Sequence, residues 1–308
     1  MAASVDLYNA WFLAFAPEAF RGARARTAEG VLADLAHTQH LADLSPATLR
    51  ARPGVVRVLR MATAPPLALD RLAGLARVPR GLLTTLEGAD GRQPRLPPRS
   101  LAGDLDAQLA RIVAVLKRLT DDYLFPWLSQ GTTPDPKQEE RAATIVADRL
   151  CGSLADPIIR NAQETRQLAL IRDWLAARGY VPLAPGLRFD AMPPGTFAFR
   201  LNVPVRNELT GRSIALPVDA VVQPKTASPG SLPLLIEAKS AGDFANTNKR
   251  RKEEAQKHSQ LRATYGPEVR YILFLCGYFD ASYLGYEASE GIDWVWEHRP
   301  DDMTHLGL

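Results

Sequence analysis

One segment constrains this chain's fold more than any other. Leu234-Leu-Ile-Glu237-Ala-Lys239 is an unbroken apolar run that ends in an acid and a lysine two residues apart. Runs of this kind belong to strands covered on both faces, so helices are expected on each side of a sheet. Alternation along the strand directs Glu237 and Lys239 to one face and Ala238 to the other. Charges at the end of a buried strand are costly unless they are paired or hold a metal.

A second charged residue interrupts a similar segment just before. In Leu216-Pro-Val-Asp219-Ala-Val-Val222 the flanks are apolar and β-branched, so Asp219 sits within a strand. Two hard carboxylates suit Mg²⁺, which takes one or two such ligands, keeps several waters and accepts a phosphate. Lys239 is expected to hold or help deprotonate an attacking water and to offset phosphate charge. A lysine suits that task because burial can move its pKa down. Arginine is the default cation of this chain, yet four of its seven lysines lie between Lys239 and Lys257, so the ammonium itself is wanted. The competing reading is a structural Glu–Lys pair with an unrelated Asp.

The surrounding pattern is helix, strands, helix, strand. A helix is expected from about Pro157 to Arg178, with Asp156 as its cap and Gly179 and Pro182 closing it. Along it Leu168, Ile171 and Leu175 form the inward stripe, and Glu164 continues that stripe toward the N-terminus. Glu164 is therefore a candidate third metal ligand, or the partner of an arginine such as Arg160. Strands are expected over residues 196–205, 213–222 and 232–239, a charged helix over 248–265 and a buried strand over 271–276. The charged helix opens with Asn246, Asn248, Lys249, Arg250, Arg251 and Lys252, a cluster suited to DNA phosphates, with the asparagines able to reach backbone or bases. The alternative there is a solvated face on which Glu253 and Glu254 pair with Lys257 and His258 four residues on.

The first half reads as helices. Residues 5–87 suggest short helices broken by proline, 88–99 a Gly/Pro-rich connector, and 101–124 an amphipathic helix with Leu105, Leu109, Ile112, Leu116, Leu119 and Tyr123 on one face. Residues 70–87 resemble a helix-turn-helix. Leu72, Ala73 and Ala76 line its first helix, Val78 plugs the turn, and Leu83 and Leu86 face inward. Arg80, Thr84 and Thr85 face outward, where they can reach phosphates or base edges. The break at 131–137 separates a helical DNA-recognition domain (1–130) from an α/β domain (141–308).

Bulk properties narrow the classes without selecting one. With 308 residues, a net charge of +3 and 46% apolar residues, the chain can build one large or two ordinary cores, and it is only mildly basic. Its two cysteines form no CxxC pair, and Cys276 in Tyr271-Ile-Leu-Phe-Leu-Cys276 reads as a buried hydrophobe. Neither a secretory leader nor a membrane span is expected, which points to a bacterial cytoplasmic protein.

The stretches Asn161-Ala-Gln-Glu164, Leu216-Pro-Val-Asp219, Ile236-Glu-Ala-Lys239-Ser-Ala-Gly-Asp-Phe244, Lys249-Arg-Arg-Lys-Glu-Glu254 and Gly291-Ile-Asp-Trp-Val-Trp-Glu-His298 together resemble the XamI-type type II restriction endonucleases, of the PD-(D/E)XK nuclease superfamily. The resemblance covers most of the second half and, more loosely, the first. It implies a nuclease core with a mixed β-sheet flanked by helices, following a helical N-terminal domain. It also implies Mg²⁺-dependent cleavage of double-stranded DNA at short sites to leave 5′-phosphates, a homodimer, and a cognate DNA methyltransferase encoded nearby. Carried over, Asp219 and Glu237 are metal ligands and Lys239 is the catalytic lysine. The first motif is Pro217-Val218-Asp219 rather than a contiguous Pro-Asp; only the Asp is required chemically. Two other functions compete. A repair or recombination nuclease on this fold would be expected to carry Gln-x-x-x-Tyr on the following helix, whereas Gln260 is followed by Thr264. A non-catalytic helix-turn-helix regulator has no need of an intact Asp–Glu–Lys set.

Overall fold

The computed structural model describes residues 1–88, 92–98, 104–152, 155–184, 186–206, 211–228, 230–244 and 247–308, with the side chains of 155–156 and 248–251 left aside. The chain divides into two compact units, one of residues 17–157 and one of residues 1–16 with 158–308.

The first unit is helical. It takes in most of α1 (Ala2–His37), then α2 (Pro46–Ala51), α3 (Val55–Met61), α4 (Leu69–Ala76), α5 (Arg80–Glu87), α6 (Leu105–Leu119), α7 (Pro126–Gln130) and α8 (Pro136–Cys151). A single core runs through them, from Val31 and Leu35 of α1 to Val146 and Leu150 of α8. Residues 5–87 are thus not all short helices: α1 runs through Pro17 without ending. Proline costs an interior helix one hydrogen bond and a clash, and here it stands where the chain passes from one unit to the other. Helix α6 is shorter than its periodicity suggests. Beyond Leu119 the backbone pairs with residues 62–64 instead, and Tyr123 is 79% exposed rather than part of the apolar face.

Helices α4 and α5 form the expected helix pair. Arg77 closes α4 in the left-handed region (φ 52°), and Leu72, Ala73, Ala76, Val78, Leu83 and Leu86 are all buried. Arg80 is exposed and reaches Asp70 at 2.5 Å, while the Thr84 and Thr85 hydroxyls donate to the carbonyls of Arg80 and Gly81. Glu87 ends α5 buried against the guanidinium of Arg60 at 2.7 and 2.9 Å.

The second unit is a mixed sheet between helices. It contains α9 (Ala155–Ala177), β1 (Val181–Pro182), β2 (Thr196–Arg206), β3 (Ser213–Val222), β4 (Leu234–Ala241), α10 (Thr247–Tyr265), β5 (Arg270–Gly277), α11 (Ala281–Ser289) and β6 (Asp293–Trp296). The six strands lie side by side in chain order. β2, β3 and β4 are antiparallel neighbours; β4, β5 and β6 run parallel. Leu234, Leu235 and Ile236 have no exposed surface, as a strand covered on both sides requires. Leu168, Ile171, Trp174 and Leu175 of α9 pack with Ile236 and Phe274 on one face. Leu261 of α10 and Tyr283 of α11 pack with Leu235, Leu273 and Leu275 on the other. Each fully buried Leu or Ile contributes about 1.5–3 kcal/mol, which offsets the cost of the charges set among them.

Residues 1–16 belong to this unit through specific contacts. The N–H of Gly277 donates to Ser4 Oγ at 2.8 Å, Asn9 Nδ2 donates to the Tyr278 hydroxyl at 2.9 Å, and the Trp11 ring lies 5.4 Å from the Arg166 guanidinium. Arg166 in turn pairs with the fully buried Glu297. No helix among the described residues is long and apolar enough to cross a membrane.

Candidate active site

The strand ladders open at one point, and the charged residues gather there. The β3–β4 register runs Val222↔Leu234, Val221↔Leu235 and Ala220↔Ile236 and then stops. One residue further the Asp219 carboxylate takes over: its Oδ2 accepts the Ala238 N–H at 2.8 Å, satisfying a donor that has lost its strand partner. On the other side the β2–β3 register passes from Phe199↔Ala220 to Leu201↔Val218, omitting Arg200 opposite Asp219.

Both strands turn over at this step. Alternation would give Phe197, Phe199, Leu201 and Val203 a common face. Instead Phe197 and Phe199 join the α9 side, whereas Leu201, Val203 and Val205 join the α10 side. Likewise Ala220 and Val222 lie on the α9 side and Val218 and Leu216 on the other. Arg200 has φ 51°, and this left-handed residue is where the β2 backbone changes face.

Glu237 and Lys239 share a face, as their spacing requires. Lys239 Nζ lies 3.1 Å from Glu237 Oε1 and 3.1 Å from Glu254 Oε1 of α10, while Lys257 Nζ of the same helix lies 2.5 Å from Glu237 Oε1. Glu254 has no exposed surface and Glu237 is 4% exposed. Gln167 of α9 donates from the opposite face to the carbonyls of Phe274 and Lys239, at 3.2 and 3.4 Å, and fixes the ends of β4 and β5 together. Cys276 is buried among them, its thiol pushed up to about 12 by burial and by the charge of Glu297, which makes it inert rather than nucleophilic.

The electrostatics follow from crowding three carboxylates against two ammonium groups. Burial, and then the charge of Glu237, push Asp219 up to about 6 from its ordinary value of 3.8. Burial by itself would push Lys239 down, but the charges of Glu237 and Glu254 outweigh it and hold the ammonium above the usual lysine value. The neighbouring carboxylates thus oppose the lowering that burial alone would give, and hold Lys239 as an ammonium between them. Burial also raises Glu254, and burial together with Glu254 raises Glu287 behind it to about 7.

Glu164 meets an arginine, one of its two expected partners, in Arg200 of β2 rather than in Arg160. Arg200 Nε and Nη2 lie 3.1 and 2.9 Å from Glu164 Oε1, and Glu164 is close enough for its charge to bear on Asp219. Glu254 and Lys257 are not part of a solvated face, the alternative considered for this helix; both turn inward onto β4. Lys252 is exposed. Asn246 and the side chains of Asn248, Lys249, Arg250 and Arg251 lie outside the described residues.

The donor set can be tested for Mg²⁺ directly. Glu237 Oε2 is buried without a hydrogen-bond partner, and Asp219 is raised by its acidic neighbour, so the pair is suited to a shared cation. Among the described residues no group of three or more His, Cys, Asp or Glu is arranged to hold a metal. Two carboxylates with the remaining positions left to water and phosphate fit Mg²⁺ and not a closed zinc site.

A mixed sheet flanked by helices, with a carboxylate–lysine cluster set where its ladders open, is consistent with a nuclease core. The family model described as XamI restriction endonuclease matches residues 39–296. The chain is also 52% identical over 307 residues to the type II restriction enzyme SalI of Streptomyces albus G, covering 99% of this chain and 95% of that one. A solved structure, protein VC1899 from Vibrio cholerae, matches at 14% identity with a TM-score of 0.28, over 84% of this chain and 55% of that one. The protein is a site-specific deoxyribonuclease in class. It belongs to the XamI family of type II restriction endonucleases.

Proposed function

We propose that this restriction endonuclease hydrolyses phosphodiester bonds of double-stranded DNA with Mg²⁺ held by Asp219 and Glu237, leaving 5′-phosphates. The observation that carries the reading is the convergence at the opened ladder: Asp219 anchored on the Ala238 N–H, and Lys239 3.1 Å from Glu237. When bound, Mg²⁺ supplies positive charge against the negative charge that builds on phosphorus and its oxygens. Lys239 adds a second, fixed positive charge at the same place, held in position by Glu254. Lys257 holds Glu237 Oε1, which leaves Oε2 for the ion. Glu164 stands beside the pair as the counter-ion of Arg200.

The cations of residues 249–252 bind phosphates, and in the helical unit the α4–α5 pair reads DNA through Arg80, Thr84 and Thr85. The enzyme acts as a homodimer in the bacterial cytoplasm, beside a methyltransferase that protects the host's own sites. The test is digestion of a plasmid of known sequence, with and without Mg²⁺, and mapping of the ends. Discrete fragments with 5′-phosphates that require the ion are expected, and none from Asp219→Asn. Cleavage that survives chelation, or an active Asp219→Asn, would refute the assignment.

A further inference from the structure

We propose that Arg200 is a substrate-binding residue of this site: its guanidinium takes a DNA phosphate at the cleavage point, and Glu164 holds it ready beforehand. The inference rests on the function proposed above and adds a residue to it. Three observations carry it.

The first is the backbone. At φ 51° Arg200 adopts a conformation that L side chains rarely take and that gathers at functional sites. It stands across from Asp219, at the step where both strands change face. Glycine would suit this position better for folding alone, which points to a task for the arginine side chain.

The second is the charge. The Arg200 side chain is 63% exposed, and an ion pair so open to water adds little stability. Yet Nε and Nη2 both converge on a single Glu164 oxygen, which fixes the plane of the guanidinium. That plane retains further N–H donors, in the geometry that grips a phosphate with two parallel hydrogen bonds.

The third is the space beside it. A concavity of about 530 Å³ opens along β2 and β3, its apolar walls carrying the polar side chains of Arg188, Asp190, Arg200, Asn202 and Ser213. Arg188 is already engaged by Asp190 at 2.9 and 3.1 Å. Arg200 is the cation of this group that adjoins Asp219.

Arg200→Gly separates the side chain from the backbone, because glycine accepts the left-handed conformation. Parent, Arg200→Gly, Arg200→Lys and Asp219→Asn are compared on a duplex oligonucleotide carrying a cleavage site mapped in plasmid DNA. Cleavage is measured with Mg²⁺, and binding is measured without metal across a salt series. Arg200→Gly is expected to keep or raise the thermal midpoint, to cut roughly 10- to 100-fold more slowly, and to lose about 0.9 from the salt slope. Arg200→Lys should recover the slope but only part of the rate. Parental cleavage by Arg200→Gly, or slow cleavage with the parental slope, overturns the inference. If Arg200→Gly does not fold, Arg200→Gln is judged by the same two readouts. An active Asp219→Asn would instead sink the proposed function, and this inference with it.

Discussion

Replacing Asp219 with asparagine should make the metal-free protein more stable while abolishing cleavage. The gap between 3.8 and about 6 corresponds to about 3 kcal/mol that the ionised Asp219 costs the fold. The sign follows from proton uptake. Between these two values the folded state holds the proton that the unfolded state has released, so stability falls as pH rises from about 4 to about 6 and stays low above. Asparagine removes this cost. Its amide oxygen still accepts the Ala238 N–H, and the charge-assisted part of that bond is already contained in the shift. The net gain is about 3 kcal/mol at pH 8. Urea unfolding of both proteins in a chelating buffer, at pH 5, pH 7 and pH 8, measures it. The advantage of the variant should widen by about 1 kcal/mol between pH 5 and pH 7. Added Mg²⁺ should then stabilise the parent and leave the variant unchanged. A variant less stable than the parent at pH 8, or a gap indifferent to pH, would refute the reasoning.

Lys239→Met should abolish cleavage and destabilise the fold by about 3 kcal/mol in urea, because Glu254 is left buried without its cation. Adding Glu254→Gln to it should restore much of the stability and none of the cleavage. Replacing Lys249, Arg250 and Arg251 together with alanine should lower the salt slope of DNA binding by about 0.9 for each phosphate these side chains neutralise; an unchanged slope removes them from the interface. Glu164→Gln should leave the Mg²⁺ midpoint of cleavage unmoved, as suits a counter-ion of Arg200; a raised midpoint would make Glu164 a ligand.

The sheet and its two motif strands were legible because burial and charge collide there: Leu234, Leu235 and Ile236 demand cover on both faces, and Glu237 and Lys239 then demand partners. Those partners were harder to see. In α10 the charged residues look like a solvated face, yet Leu261 is buried against the sheet, and counting back from it by four and seven reaches Lys257 and Glu254. A single apolar residue on a polar helix was the available signal that its neighbours at helical spacing point inward. It was also the signal that Lys239 would be charged rather than depressed. The left-handed backbone at Arg200 has no local signature, because arginine there is chosen against conformational preference. The inclusion of Ser4, Asn9 and Trp11 in the nuclease unit was invisible for a different reason. Those interactions join residues more than 150 positions apart, and Pro17 hides the continuity of α1.

The central claim is that Asp219 and Glu237 share one divalent ion. Crystals grown or soaked with Mn²⁺ in place of Mg²⁺, with data collected at the manganese edge, locate that ion without reference to activity. An anomalous peak is expected within bonding distance of an Asp219 oxygen and of Glu237 Oε2. A peak that touches neither, or none at a concentration that supports cleavage, would contradict the claim.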